Sequence, residues 1–272
     1  MDIKLIAIDM DGTLLNKNNK LTQRTHDAVK KAQEKGVRVV IATGRVLKSA
    51  LHYSDELKLN SYVSACNGAI VVDETKKIVL RKPINIIDVK KVMEIGHELG
   101  IYFHFYNEDT FFTKTVVQEV IDYYNPTTSK FQSQDVGIRI YQQSDEVTSI
   151  KDLFVYKFLF IDNNKDKLDK LKLQLRRIKG IDLSSSWNNN IEVMQKGASK
   201  GSSIEFLCKE FGIDKSQVMA IGDNENDLSM IKFAGFGVAM ENGEECIKQA
   251  AKYITSSNEE DGVAKVIEKF IL

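Results

Sequence analysis

Three short apolar runs, each followed by a polar group, constrain the fold of this chain most strongly. The runs are residues 5–8, 39–41 and 218–221, and they lead to Asp9, Thr43 and Asp223. Helical patterns lie between such runs, for example from Thr22 to Lys35 with a stop at Gly36. Short apolar runs that alternate with helices indicate parallel strands buried on both faces. The sequence therefore predicts an α/β fold with a Rossmann-like parallel sheet as its core.

The middle of the chain has a different pattern. An aromatic-rich hairpin pattern covers residues 101–113, and a further strand and an amphipathic helix follow it. This pattern is typical of an α+β module inserted between two halves of one α/β domain. The predicted boundaries are residues 1–83 and 188–272 for the catalytic core and residues 84–187 for the inserted cap.

Polar groups at the carboxyl ends of parallel strands meet at one crevice of an open sheet. A single Asp after a strand is better explained as a helix cap or turn residue than as a functional group, but three such groups weaken that interpretation. Asp9, Asp11 and Asp223, if gathered there, could not all stay ionised without a cation, because like charges raise each other's pKa. Oxygen ligands of this kind suit a hard cation such as Mg²⁺.

Other residues near these strand ends are suited to phosphate. Lys200, at the start of a predicted helix, supplies a point charge, Thr43 a hydroxyl, and Gly44 an unobstructed backbone N–H. Carboxylates, a lysine and hydroxyl or amide donors together are what phosphoryl transfer requires, because its catalysis is mostly positioning and charge neutralisation.

Four motifs in order resemble those of the haloacid dehalogenase superfamily. They are DMDGT at residues 9–13, TGR at 43–45, Lys200 within SKG, and GDNEND at 222–227. Their order and spacing resemble the Cof-type phosphatases, which carry a large α+β cap of the C2 type between the second and third motifs. The turn at residues 67–69 is also similar to that subfamily. The resemblance covers nearly the whole chain, and every motif position matches.

The resemblance implies a hydrolase, an Mg²⁺-dependent phosphatase that acts on a small phosphorylated metabolite. Asp9 would attack phosphorus to form an aspartyl-phosphate, and Asp11 would act as general acid and then as general base. Mg²⁺ would be held by Asp9, the backbone carbonyl of Asp11, and Asp223.

The resemblance also assigns the groups that bind the phosphoryl oxygens. They are the backbone N–H of Met10, and Thr43, Gly44, Lys200 and Asn226. Asp227 would orient Lys200 or a water near the metal, and would not touch the metal itself. Arg45 either faces the substrate or anchors its loop by a salt bridge.

The cap is expected to set substrate specificity and to rotate over the crevice about connections near Pro83 and Trp187. Tyr102, His104, Tyr106, Trp187 and Asn188–Asn190 could line a substrate pocket, although packing within the cap explains any single aromatic better. The substrate stays open among sugar phosphates, phosphorylated cofactors such as pyridoxal phosphate or flavin mononucleotide, and other small esters.

Two other functions compete with a phosphatase. A phosphomutase or phosphotransferase would pass the phosphoryl group to another hydroxyl instead of to water. A non-catalytic ligand-binding descendant of such an enzyme would not need the intact set Asp9, Asp11, Lys200 and Asp223. The presence of Asp11 disfavours dehalogenase chemistry, because that reaction needs no second carboxylic acid to protonate an alkoxide.

The amino-acid composition limits the classes of partner that the chain is expected to bind and indicates its cellular compartment. Lys plus Arg and Asp plus Glu both number 38, so the chain has no basic excess that would favour nucleic acid or an anionic membrane. No apolar run approaches the roughly 18 residues of a membrane-spanning helix. Three scattered cysteines are expected to be buried free thiols in a reducing compartment, which predicts a cytoplasmic location.

Overall fold

A computed structural model describes residues 1–56, 58–117 and 136–272 of the chain, and these residues form two β-sheets. The part of the predicted cap at residues 118–135 lies outside the described residues. The first sheet belongs to the core and has the strand order β14-β13-β12-β1-β2-β3-β4-β5. Its strands are β1 Leu5–Ile8, β2 Arg38–Ala42, β3 Tyr62–Ala65, β4 Ile70–Val72, β5 Ile78–Arg81, β12 Val218–Gly222, β13 Phe236–Ala239 and β14 Tyr253–Ile254.

The pairing of this sheet confirms the predicted α/β class. All neighbours from β14 to β3 are parallel, and β4 and β5 extend the sheet as antiparallel strands. Parallel strands need crossover connections, and helices provide them. The helices of the core are Gln23–Glu34, Leu47–Glu56, Lys200–Phe211, Leu228–Phe233, Glu245–Ala250 and Gly262–Phe270.

Helices cover both faces of the core sheet. Alternate residues of β1 point to opposite faces, so Ile6 and Ile8 join one apolar cluster while Leu5 and Ala7 join another. The helix at Gln23–Glu34 packs on the first face. Burial on both faces explains why these strands are continuous apolar runs in the sequence.

The cap has its own sheet, with the strand order β10-β11-β9-β6-β7-β8. Its strands are β6 Tyr102–Tyr106, β7 Thr110–Thr113, β8 Gly137–Ile140, β9 Lys157–Ile161, β10 Ile181–Ser184 and β11 Asn190–Gln195, and its helices are Ile86–Glu98, Ser144–Thr148 and Lys165–Leu175. Phe158 and Phe160 of β9 pack with these helices in a separate apolar cluster. Lys157 and Leu159, which alternate with them, therefore lie on the opposite face of the sheet, toward the core.

The C-terminal boundary predicted for the cap is wrong. Strand β11 at Asn190–Gln195 pairs with β9, so the cap sheet extends to Gln195 and not to residue 187. The polar tip that suggested an exit from the cap is the turn of the β10–β11 hairpin, in which the side chain of Asn190 accepts hydrogen bonds from the backbone N–H groups of Ser186 and Trp187. Trp187 is consequently not a connection between the two parts.

The chain enters the cap after β5, which ends at Arg81, and returns to the core after Gln195. The two crossings lie side by side, since Lys82 Nζ donates to the carbonyl of Gly197 at 3.0 Å and to Ser202 Oγ at 3.1 Å. Ile84 also forms an antiparallel bridge with Val155 of the cap.

Two smaller expectations can be compared with the structure. Cys66 and Cys208 are buried free thiols, as expected. Cys246, on the Glu245–Ala250 helix, is a free thiol but is exposed, so the expectation that it is buried is wrong. Across the described part of the chain, no helix combines the length and apolar character required to cross a membrane.

Candidate active site

Two carboxylates come together because they follow neighbouring parallel strands. Ile8 of β1 is in register with Ile221 of β12, and Asp9 and Asp223 come directly after these strands. The backbone N–H of Asp9 donates to the carbonyl of Ile221 at 3.0 Å, which continues the ladder to the sheet edge. Both residues are buried, at 5% exposure each.

Lys200 connects this pair to a third carboxylate. Its helix begins directly after Ser199, whose side chain accepts from the backbone N–H of Ser202 and caps the helix. The Lys200 ammonium is fully buried and lies 2.6 Å from Asp9 Oδ1 and 2.6 Å from Asp227 Oδ1. Burial opposes the charged form, but Asp227 and Asp9 outweigh it and hold the pKa of Lys200 above its usual value.

Asp227 is bound entirely by protein groups. One oxygen accepts from Lys200, and the other accepts from the backbone N–H groups of Asp223 at 2.9 Å and Asn224 at 3.1 Å. Gly222 permits this close approach, because a Cβ there would lie 2.5 Å from the Asp227 side chain. The carboxylate therefore fixes both Lys200 and the loop after β12.

Asp9, Asp223 and Asp227 form an acidic cluster whose nearest oxygens all lie within 4.8 Å of one another. Burial and the charge of Asp227 raise the pKa of Asp9 well above its ordinary value and raise the pKa of Asp223 to about 7. One lysine does not balance three ionised carboxylates, so full ionisation of the cluster would leave excess negative charge. A donor set of carboxylate oxygens fits a hard divalent cation.

The side chain of Asp11 lies outside this cluster. Arg45 Nε donates to Asp11 Oδ2 at 2.8 Å, and Arg45 Nη2 donates to the other oxygen. The guanidinium is buried and stacks over the ring of Tyr53 at 4.3 Å. Arg45 therefore forms the salt bridge of the loop-anchoring interpretation. It also forms part of a cavity wall, where it can face a substrate.

A cavity of about 360 Å³ lies over the acidic cluster, between the core and the cap. Its floor includes Asp9, Asp11 and Asp223 together with Gly44 and Asn226. Core loops add Asn16, Lys17, Asn19, Asn224 and Asn258 to its walls, and the cap adds Lys157, Leu159, Ser186, Trp187 and Glu192.

The remaining predicted phosphate-binding residues lie beneath this floor. Met10 and Thr43 are fully buried, and the Thr43 hydroxyl oxygen accepts from the backbone N–H of Arg45 at 3.1 Å. Asn226 Oδ1 lies 3.4 Å from Lys200 Nζ, so Asn226 is adjacent to the lysine as well as to the cavity.

Among the cap residues proposed for a pocket, Trp187 lines the cavity and is 44% exposed. His104 and Tyr106 are instead buried on the core-facing side of β6, where Tyr106 packs with Phe111 and with Val46 of the core, His104 Nε2 and the Tyr106 hydroxyl are 2.6 Å apart, and His104 stacks on Phe111. Burial lowers the pKa of His104 well below its usual value, which keeps the ring neutral. Asn190 holds the hairpin turn, as described above.

Sequence reasoning missed Lys157 and Glu192, and it noted Asn67 only as part of a turn. Lys157 and Glu192 are about 2% exposed and are the ionisable residues on the core-facing side of β9 and β11. A charged residue inside an otherwise apolar strand was the available signal, because such residues are rarely buried without a partner.

The chain is similar to known proteins over nearly its whole length. A family profile described as haloacid dehalogenase-like hydrolase matches residues 6–267. The 5-amino-6-(5-phospho-D-ribitylamino)uracil phosphatase YcsE of Bacillus subtilis (strain 168) is 33% identical over 272 residues, covering 100% of this chain and 97% of that protein. The putative phosphatase YxeH of the same organism is 34% identical, covering 99% and 98%. A solved haloacid dehalogenase-like hydrolase from B. subtilis has a TM-score of 0.90 at 28% identity, covering 99% and 100%.

The close approach of Gly12 to Asp223 gives a testable prediction. Gly12 has φ of +82°, and a Cβ there would lie 2.5 Å from Asp223 Oδ2. Gly36 is a matched control, since it has φ of +83° with nothing within 4 Å of a Cβ. Gly36→Ala should lower the free energy of unfolding by about 1–2 kcal/mol through backbone strain alone. Gly12→Ala should cost a further 1–3 kcal/mol, roughly, through crowding, as measured by urea denaturation. Equal costs would show that Asp223 moves aside freely.

Proposed function

Because the chain belongs to the haloacid dehalogenase-like hydrolase family, we propose that it is a Mg²⁺-dependent phosphatase that acts through an aspartyl-phosphate. The main support is the placement of Asp9 and Asp223 at the floor of one cavity, at the adjoining ends of β1 and β12, with the buried ammonium of Lys200 2.6 Å from Asp9 Oδ1. The family match agrees with the four motifs from which the family was expected. Small phosphorylated metabolites are the proposed substrates, because the cavity is about 360 Å³ in volume and the cap forms part of its wall.

We assign the metal to Asp9, Asp223 and the backbone carbonyl of Asp11. When bound there, Mg²⁺ would polarise the phosphoryl oxygens and offset the excess negative charge of the cluster. Asp227 is assigned to orienting Lys200, because both of its oxygens already accept hydrogen bonds from protein groups.

In the first step, Asp9 attacks phosphorus while the bond from phosphorus to the leaving oxygen breaks, and Asp11 gives that oxygen a proton. In the second step, Asp11 takes a proton from water, which attacks the aspartyl-phosphate and restores Asp9 with release of phosphate. Lys200, the Gly44 N–H and Asn226 would bind the phosphoryl oxygens, and charge on those oxygens is what the site must stabilise. Arg45 holds Asp11 at the cavity wall until the substrate arrives.

The walls of the cavity suggest the class of leaving group. Asn16, Asn19 and Asn258 present amides that can bind hydroxyl groups, and the half-exposed ring of Trp187 can stack on a planar group. The name of the relative YcsE describes a substrate that combines a phosphorylated polyol with a planar uracil ring. We therefore propose 5-amino-6-(5-phospho-D-ribitylamino)uracil as the first substrate to test, followed by sugar phosphates and phosphorylated cofactors.

The function itself is tested by phosphate release. Purified protein with Mg²⁺ should release inorganic phosphate from members of a panel of phosphorylated metabolites, and a chelator should abolish that release. Release without any added acceptor separates a phosphatase from a phosphomutase or phosphotransferase. A panel on which the protein binds esters and releases no phosphate would instead favour the non-catalytic alternative.

Asp9→Asn should lose turnover by on the order of 10³-fold or more, because an amide cannot form the covalent intermediate. Steady-state phosphate release measures the loss, and circular dichroism checks the fold. Asp27→Asn, an exposed residue on the Gln23–Glu34 helix, is the matched control and should remain fully active. Activity of Asp9→Asn within about tenfold of wild type would be incompatible with the covalent mechanism.

Asp11→Asn should slow the hydrolysis of alkyl phosphates far more than that of p-nitrophenyl phosphate. An alkoxide needs a proton to leave, whereas p-nitrophenolate leaves as an anion. Single-turnover measurement of aspartyl-phosphate formation on both substrates isolates this step, and the nitrophenyl ester serves as the internal control. The assignment of Asp11 as acid would be abandoned if both rates fell equally.

A further inference from the structure

A buried ion pair lies on the core-facing side of the cap, and the mechanism above does not use it. Lys157 Nζ in β9 and Glu192 Oε1 in β11 are 2.7 Å apart, and the two side chains are 3% and 2% exposed. We call these two residues the cap–core ion pair. Their neighbours in the same strands, such as Phe158 and Val193, point the other way into the apolar cluster of the cap.

Each member of the cap–core ion pair also bonds to the core. Lys157 Nζ donates to the backbone carbonyl of Gly44 at 2.7 Å, and Asn67 Nδ2 donates to Glu192 Oε2 at 2.7 Å. Hydrogen bonds with one ionised partner are shorter and about twice as strong as neutral ones. The cap therefore contacts the core here through two charge-assisted hydrogen bonds. In one the Lys157 ammonium of the cap donates, and in the other the Glu192 carboxylate of the cap accepts.

The core partners belong to the proposed phosphate site. Gly44 carries an N–H assigned to the phosphoryl group, and a Cβ on it would lie 2.9 Å from Asn67 Oδ1 and 3.1 Å from Lys157 Nζ. Asn67 Oδ1 is in turn 3.4 Å from Asn226 Nδ2, and Asn226 Oδ1 is 3.4 Å from Lys200 Nζ. A continuous series of polar contacts thus runs from the cap to the catalytic-site lysine.

Glu192 is held firmly in this arrangement. The hydroxyls of Ser184 and Ser186 each donate to it at 3.1 Å, in addition to the bonds from Lys157 and Asn67. Burial alone would raise the pKa of Glu192, but Lys157 and Asn67 bring it below its ordinary value, so the carboxylate is ionised at neutral pH. Buried ion pairs carry a large desolvation cost, and apolar residues would attach the cap at least as well. Simple adhesion is therefore a poor explanation for the pair.

We propose that Lys157 and Glu192 are positioning residues that order the phosphate-binding groups when the cap is docked. Lys157 fixes the Gly44 carbonyl, and thereby the peptide loop that presents the Gly44 N–H. Glu192 fixes the Asn67 amide, which sets the orientation of Asn226 beside Lys200. Phosphoryl binding and cap docking are then coupled, since each favours the arrangement that the other needs. The inference rests on the proposed phosphatase function for its catalytic consequence.

The test is a double variant, Lys157→Met with Glu192→Leu, which removes both charges and leaves no buried charge unpaired. It should fold with a melting temperature near that of wild type. Its turnover on a phosphate ester, and its affinity for the inhibitor vanadate, should both fall by about 10- to 100-fold, the factor that loss of one or two hydrogen bonds to charged groups corresponds to. Wild-type turnover and vanadate affinity in the folded double variant would overturn the proposal.

A control pair removes a cap ion pair that does not reach the core. Lys90 and Asp145 are 2.8 Å apart and exposed, so Lys90→Met with Asp145→Asn should leave turnover and vanadate affinity unchanged. If the first double variant does not fold, the nearly isosteric Glu192→Gln carries the same test. It removes the charge that holds Asn67 and should weaken vanadate binding in the same direction, whereas unchanged binding would overturn the proposal.

Hydrogen–deuterium exchange separates this inference from the proposed function. In the first double variant, backbone amides at residues 43–46 and 66–69 should exchange faster, while those of β6 and β9 keep wild-type protection. If wild-type protein releases no phosphate but exchange changes in this way, the phosphatase function fails and the positioning role stands. If wild-type protein is an active phosphatase and exchange at 43–46 is unaltered in the double variant, the positioning role fails alone.

Discussion

The buried ammonium of Lys200 is the group on which the rest of the site depends. A fully buried charge is tolerated only with close partners of opposite sign, and Lys200 has them in Asp9 and Asp227, each at 2.6 Å. Removing one partner of such an arrangement leaves an uncompensated charge, which costs several kcal/mol, roughly 3–5. The requirement therefore fixes three separate segments relative to one another: the end of β1, the loop after β12, and the first turn of the helix that begins at Lys200.

Much of this could be predicted because it follows from local pattern. Asp9 and Asp223 directly follow apolar runs, and parallel pairing of β1 with β12 in register brings their carboxylates to the same edge. The helix start at Lys200 was equally visible, since Ser199 is a good capping residue. Where each residue's position depends on its own strand or helix end, the sequence carries the information.

The parts that could not be predicted depend on long-range pairing. Residues 190–195 pair locally with β10, but this hairpin joins the rest of the cap sheet through the pairing of β11 with β9, which is remote in sequence. The local pattern does not distinguish a hairpin turn from a return to the core. The significance of Lys157 and Glu192 was hidden for the same reason. Each is a single charge within an apolar strand, but its partners are not identifiable until the sheet places both residues on the face toward Gly44 and Asn67. The salt bridge of Asp11 with Arg45 likewise depends on how two loops meet.

The two chain crossings between core and cap are adjacent, and this affects how the inserted segment can change during evolution. Lys82 and Gly197 are joined by a 3.0 Å hydrogen bond, so the ends of the inserted segment lie together at the core. For the stability of the core, the whole insertion is therefore equivalent to one closed loop. The entropy of closing a loop grows only with the logarithm of its length, by about 0.6 kcal/mol for each doubling. A core built in this way can exchange one insertion for another of very different size, or acquire a larger one stepwise, with little effect on its own stability. Replacing the insertion therefore changes the free energy of unfolding of the core little, provided that each new insertion folds by itself.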